Sequence, residues 1–365
     1  MEAGQIRERR LTTAIILPPH EGFAPAAVGA IGLLVHRLVH GGAEGTVIGA
    51  PGAYAPFDDV PYLPAAPGFG LSGAARYANG VARVLRQLRP ARIEVHNRPE
   101  IALRLARAMP GVPMLLWLNN DPQHMRRART PADRTRIAAA MQVVTASAWL
   151  RDRFCESLSP TLVTVIPNCL EPLPASPVER ENLIVFAGRI VADKGADAFV
   201  AACALALPDL PGWRAEMVGA DRFSPTAPDT PFLTALRPAA AAAGVVLRGH
   251  MPHAAVLDAM RRAAIVVVPS RWPEPFGLVA LEAMACGAAL ICSPRGGLPE
   301  VGGAVALYAE PEPDALAAAM VALARDPARR AALGEAGVMR SQQFGVDQAV
   351  AALVHLRQQG SDPRS

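Results

Sequence analysis

The chain has 365 residues, more than one hydrophobic core usually supports, so two domains are expected. Hydrophobic residues make up 51% and charged residues 19%, which excludes a disordered chain. The formal charge is +4, yet residues 1–180 hold 20 arginines against 14 acidic residues, so the basic excess lies in the first half. That half suits an anionic partner such as a phospholipid surface or a phosphorylated acceptor. No basic run interleaved with aromatics points to nucleic acid.

Taken in chain order, Arg7, Arg9 and Arg10 precede an apolar stretch at 11–17 that ends in Pro18-Pro19. Seven residues broken by two threonines read as a first buried strand, not as a signal peptide. Further strands are expected at 45–49, 92–96, 114–118, 141–145 and 161–166, with helical patterns at 28–40, 74–88, 99–108 and 148–158. Four prolines at 167–177 then form a stiff connector. The alternation restarts with strands at 182–187, 214–218, 245–248, 265–268 and 289–292. Short apolar runs alternating with amphipathic stretches are the signature of βαβ units and parallel sheets. Two such halves imply ligand binding at the carboxyl ends of the strands. The longest apolar run, 278–292, has 15 residues and contains Glu282, too short and too polar to span a bilayer. A cytoplasmic protein is expected. Its five cysteines, an odd number with no Cys-x-x-Cys pair, read as reduced buried thiols.

Chemistry concentrates at two strand-to-helix joins. In 266–282 a buried strand ends at Pro269, and a loop with Pro273, Pro275 and Gly277 leads into a helix from about Leu278. The amides of Gly277 and Leu278 present unpaired N–H groups at the positive end of a helix dipole, a ready anion site. Glu274 stands just ahead of that helix and Glu282 one turn inside it. Two carboxylates flanking an anion site suit a sugar nucleotide, with acceptors for hydroxyl groups around a diphosphate. The second join, 185–195, places Arg189 and Lys194 at another strand end. Lys194 is the one lysine among 36 basic residues, and a compact ammonium suits a phosphate point contact.

These residues carry a resemblance. Gly188-Arg189, Lys194-Gly195 and the Glu274-x7-Glu282 pair with Pro275-Phe276-Gly277 between resemble the retaining glycosyltransferases of family 4, which have the GT-B fold. Pro167-Asn168, the segment Gly296 to Glu300 and the helix led by Asp314 extend the likeness over most of the chain. The resemblance implies two Rossmann-like parallel-sheet domains facing a central cleft: 1–178 on the acceptor side and 179–345 for the donor. Residues 346–365 would cross back to the first domain as a helix. It implies that Arg189 and Lys194 bind the donor diphosphate, Glu282 the ribose and Glu274 the transferred sugar, with Phe276, Gly277 and Leu278 lining the donor site. His96 resembles the family's active-site histidine, and Gly29 the place where backbone approaches the donor phosphate. The family's second strand-end histidine is replaced by Asn119, and its Gly-Gly pair is absent near Gly29 and Gly32.

Three other patterns compete. Gly68-Phe-Gly-Leu-Ser-Gly73, with Glu94 further on, matches a dinucleotide fingerprint but follows three prolines instead of a clean first strand. His36 and His40 have helical spacing but no third ligand in sequence and read as surface histidines. Glu310 to Asp314 is acidic but broken by prolines, and Asp314 reads as a helix cap. No Asp-x-Asp is present, so no metal and no other cofactor is expected. The expected reaction is sugar transfer from a nucleotide-diphosphate sugar to a glycan or lipid-linked acceptor, in polysaccharide or glycoconjugate synthesis, with peripheral contact to an anionic membrane. A non-catalytic nucleotide-sugar-binding subunit and an epimerase of the same fold are the rival readings.

Overall fold

The computed structural model describes residues 13–173, 179–221 and 228–359. The connector prolines Pro174 and Pro177 and the segment 222–227 lie outside the described residues. The chain divides into two compact units: one holds the residues up to Cys169 together with those from Val346 onward, the other Leu170–Gly345.

The first unit is built on seven parallel strands. Their order is Tyr62–Pro64, Thr46–Gly49, Thr13–Ile16, Arg92–His96, Met114–Leu118, Gln142–Thr145 and Val163–Val165. The central strands are buried throughout, as expected of a parallel sheet covered on both faces. Tyr62–Pro64 was not expected as a strand, because Pro61 and Pro64 argue against one. It lies at the sheet edge, the one position where proline costs no ladder hydrogen bond on its open side. A short antiparallel pair, Phe23–Ala24 with Ala27–Val28, precedes the helix Ala30–His40.

The helix Val346–Gln359 belongs to this unit. Leu353, Leu356 and Ala349 pack with Leu34 and Leu38 of the helix Ala30–His40 and with Trp117 and Val144 of the sheet. Each fully buried leucine contributes roughly 1.5–3 kcal/mol. An ion pair completes the joint: the Arg357 guanidinium donates to both Glu94 oxygens, at 2.7 and 2.9 Å, and to the Glu44 carbonyl at 2.9 Å. Glu94, the acid that a dinucleotide site would need for a ribose, is thereby committed to structure.

The second unit has six parallel strands in the order Val245–Gly249, Arg214–Val218, Glu181–Ala187, Ala263–Val268, Ala289–Cys292 and Leu307–Tyr308. Its core joins Phe186, Phe199, Met217, Ile265 and Ile291, residues from four strands and the helix Ala196–Ala206. All five cysteines are buried and unbridged. Burial pushes the Cys286 thiol up to about 11 and the Cys292 thiol up to about 12, so both stay protonated and inert at neutral pH. No helix among the described residues is long and apolar enough to cross a membrane.

Candidate functional site

Two neighbouring strands of the second unit, Glu181–Ala187 and Ala263–Val268, each end in a loop that carries charged side chains. The first loop makes a turn of 3-10 helix, Ala192–Lys194, and enters the helix Ala196–Ala206 through Gly195. Gly195 has φ 70°, and a Cβ there would stand 1.9 Å from the Pro269 carbonyl oxygen. Only glycine lets the two loops approach this closely. The approach is stitched by backbone: the Asp193 carbonyl accepts from the N–H groups of Arg271 and Trp272, both at 2.9 Å. The Arg271 guanidinium adds a fork onto Asp197, at 2.6 and 3.0 Å, and a bond to the Ala192 carbonyl at 3.0 Å.

This stitching brings together residues 80 positions apart. Lys194 Nζ stands 2.5 Å from Glu274 Oε1, and the buried Ser270 hydroxyl donates to the same oxygen. Ser270 is held in turn, its carbonyl accepting from the Ser293 hydroxyl at 2.7 Å. Glu274 is also fixed through its backbone, whose carbonyl accepts from the Gly297 N–H at 2.7 Å. Gly277, at φ 105°, starts the helix Leu278–Ala285, and no side chain caps it. The start of this helix, where the sequence led one to expect an anion site, thus carries no capping side chain.

Glu282 is buried, and its Oε1 lies 2.8 Å from His253 Nε2 on the neighbouring helix His253–Arg262. His253 was not expected from the sequence, since it lies 29 residues away with no motif around it. The Phe276 ring is buried edge-on against Phe344 with centroids 5.7 Å apart, so Phe276 offers a ligand its backbone and not its ring. Arg189 is exposed on the loop after Glu181–Ala187. Beside it, the carboxyl ends of three strands border a cavity of about 240 Å³ lined by Ile190, Gly219, Asp221, Arg248 and His250. Arg248 is oriented there by a two-pronged bond to Glu216, at 2.6 and 3.0 Å. No sequence motif marks this cavity, because its walls come from strand ends that carry no recognisable spacing.

In the first unit the picture differs. His96 is 1% exposed and stacks on Trp117, ring centroids 5.4 Å apart. Burial, aided by the Arg357 charge, lowers its pKa to about 3, so the imidazole is neutral. As placed it does not reach solvent, so it does not present the catalytic imidazole expected at this strand end. The alternation of the strand explains why: Arg92, Glu94 and His96 share one face, and the first two are bonded to Arg357 of the helix Val346–Gln359. At the strand end, Asn97 adopts φ 54° and its side-chain oxygen accepts from the Asn119 N–H at 3.2 Å.

Gly29 precedes the helix Ala30–His40, where a Cβ would stand 2.1 Å from Glu21 Oε1. Glu21 accepts from the Gly32 N–H at 2.8 Å and so occupies the helix start itself. Burial raises its pKa, while the Gly32 and Ile31 amides and the Arg98 charge pull the other way. A carboxylate thus stands where backbone was expected to meet a phosphate. Among the described residues one group of three possible metal ligands is found, His36, His40 and Asp59. Asp59, absent from the sequence reading, bridges His36 Nε2 at 3.0 Å and His40 Nδ1 at 2.7 Å.

Residues 174–339, which contain every charged group of the strand-end site, match the family described as Glycosyl transferases group 1. D-inositol 3-phosphate glycosyltransferase of Segniliparus rotundus is 36% identical over 169 residues, 45% of this chain and 37% of that protein. Alpha-maltose-1-phosphate synthase of Mycolicibacterium smegmatis is 31% identical over 239 residues, 56% of this chain and 59% of that protein. The chain thus spans between 37% and 59% of the length of these two relatives. Among solved structures, Anabaena HepE in complex with UDP aligns with a TM-score of 0.77 at 18% identity, over 96% of this chain and 100% of that one. Sucrose-phosphate synthase of Thermosynechococcus elongatus aligns with a TM-score of 0.73 at 20% identity, over 95% of this chain and 98% of that one. Residues 174–339 therefore carry a glycosyltransferase group 1 domain, in a chain whose fold is GT-B.

Proposed function

We propose that the protein is a retaining glycosyltransferase that moves a sugar from a nucleotide-diphosphate donor to an acceptor hydroxyl without a metal ion. The observation that carries this reading is the Lys194–Glu274 pair, one cation and one carboxylate fixed at adjoining strand ends beside an uncapped helix start. Glycosyl transfer passes through an oxocarbenium-like state while negative charge grows on the departing diphosphate. The Gly277–Leu278 amides, Arg189 and Lys194 stabilise that charge, with Lys194 exchanging Glu274 for the diphosphate as it does so. When the diphosphate takes Lys194, Glu274 Oε1 loses one partner and becomes an acceptor for hydroxyls of the transferred sugar. Glu282, oriented by His253, accepts from the ribose, and the cavity at Gly219 and His250 takes the base.

The departing phosphate oxygen then accepts the proton of the attacking hydroxyl on the face that it leaves, which retains the anomeric configuration. The acceptor is a glycan or lipid-linked hydroxyl. HepE was solved with UDP and with UDP-glucose, which makes UDP-sugars the first donors to try. Incubation with UDP-, GDP- and ADP-sugars, followed by NMR of the product, tests the reading. A glycosylated product with the donor's anomeric configuration is expected. Inverted product, epimerised sugar, or nucleotide-sugar binding with no transfer to any acceptor overturns it.

A further inference from the structure

The Gly-x-Gly-x-x-Gly segment of the first unit has no part in the chemistry above, yet its backbone is firmly built. The Gly68 N–H donates to the Arg76 carbonyl at 2.8 Å, and Asn79 Nδ2 donates to the Phe69 carbonyl at 2.7 Å. Ser72 Oγ accepts from the Ala75 N–H at 3.2 Å and so caps the helix Gly73–Leu88. From this pinned loop two large apolar side chains project into water: Phe69 is 91% exposed, and Leu71 fully so. A loop that holds its backbone still while leaving phenylalanine and leucine uncovered presents a surface to something else.

Immediately beside it, starting at Ser72, lies a hollow of about 100 Å³ walled by Arg104, Arg107, Arg126, Arg127 and Arg136. Glu100 is its one acidic wall residue. Arg136 is paired with Asp133 at 3.2 Å, but among the described residues Arg104, Arg107, Arg126 and Arg127 have no carboxylate partner. With one glutamate among these arginines the hollow keeps an excess of positive charge that an anion relieves, and planar guanidinium forks match phosphate oxygens.

We propose that this face docks on an anionic phospholipid bilayer, with a lipid phosphate in the arginine hollow and Phe69 and Leu71 in the interfacial layer. The pairing of charge with protruding apolar side chains decides the occupant. A nucleic acid would use the arginines but gives Leu71 nothing to contact. A bilayer satisfies both features at once, since apolar burial and attraction to anionic headgroups add. This inference does not depend on the reaction proposed above, because it concerns the first unit alone.

Sedimentation of the full chain with vesicles tests it. Vesicles of phosphatidylcholine with about one third phosphatidylglycerol should bind at least tenfold better than phosphatidylcholine alone, and binding should weaken in high salt. Phe69→Ser with Leu71→Ser should lower partitioning by about tenfold or more. Arg104→Ala with Arg107→Ala should lower it by about fivefold per charge and flatten the salt dependence. Both pairs alter exposed side chains, and unchanged melting curves verify that the variants fold. The proposal is overturned if neutral vesicles bind equally or if the Phe69/Leu71 variant binds as well as the parent. It is also overturned if single-stranded RNA binds more tightly than the vesicles, or if glycerol phosphate strips the protein from them. Light scattering that shows a dimer broken by the Phe69/Leu71 variant would make the face a subunit interface instead.

Discussion

Lys194 Nζ and Glu274 Oε1 lie 2.5 Å apart although 80 residues separate them, and the chain's one lysine is thereby held by a carboxylate at a neighbouring strand end. The Asp193 carbonyl, bonded to the Arg271 and Trp272 amides, keeps their two loops together independently of that pair. Removing the lysine therefore tests charge without dismantling the loop. Lys194→Ala should reduce turnover by about 10² to 10³, the loss for one preorganised charge donor at a transition state. Unchanged turnover would mean that the ammonium is only a structural partner of Glu274.

Among the described residues Glu282 is bonded to His253 Nε2 at 2.8 Å, and the proposed donor site assigns it the ribose as well. Glu282→Gln keeps shape but removes the charged acceptor, so donor affinity measured by calorimetry should fall by roughly 1.5–3 kcal/mol. His253→Ala frees the carboxylate to rotate and should produce a smaller loss of the same sign. Equal donor affinity in both variants would leave Glu282 as a partner of His253 and nothing more.

The proposed donor site makes metal independence an expected outcome. A diphosphate leaving group needs roughly two compensating charges, which the proposal assigns to Arg189 and Lys194, with about half a unit more from the helix start at Gly277. Dialysis against EDTA should leave turnover nearly unchanged, and added Mg²⁺ or Mn²⁺ should help little. Activity that disappears with chelator and returns with metal would mean that the diphosphate is held by other groups.

His96 gives a pH signature to the first unit. Its folded pKa is lowered to about 3 by burial, below the ordinary value of 6.5, so below that value the unfolded chain binds a proton that the folded one refuses. The stability linked to this group is complete above about pH 6.5 and is lost as pH falls toward 3, by about 1.4 kcal/mol per pH unit. His96→Phe, which preserves a ring against Trp117, should flatten the urea-unfolding free energy by one proton over that window. A pH profile identical to that of the parent would place the imidazole in water.

The Arg357–Glu94 pair anchors the helix Val346–Gln359, and both side chains are largely removed from water. Arg357→Met leaves Glu94 buried without its partner and should cost about 3–5 kcal/mol in denaturant unfolding. Adding Glu94→Gln should recover a good part of that loss. If the single variant is as stable as the parent, the helix is held by Leu353 and Leu356 alone.

The strand, loop and helix order at 185–195 and 266–282 was legible in the sequence because it is local. Strand, proline or glycine break, and helix follow one another within 17 residues at 266–282, and the periodicity and breakers there are short-range properties of the chain. The unique lysine and the two glutamates could be singled out for the same reason. What the sequence could not decide is where each side chain stands relative to residues far along the chain. His96 sits at a strand end in either reading; the alternation that turns it inward is set by Arg92 and Glu94 meeting Arg357, 263 residues after Glu94. Asp59 reaches His36 and His40, Glu21 fills the helix start at Gly29, and His253 finds Glu282 in the same way. Each of these pairs costs nothing in sequence pattern and forms only when packing brings separate elements together. Tertiary structure alone therefore decided which polar residues face the core, which face one another, and which stay open to a ligand.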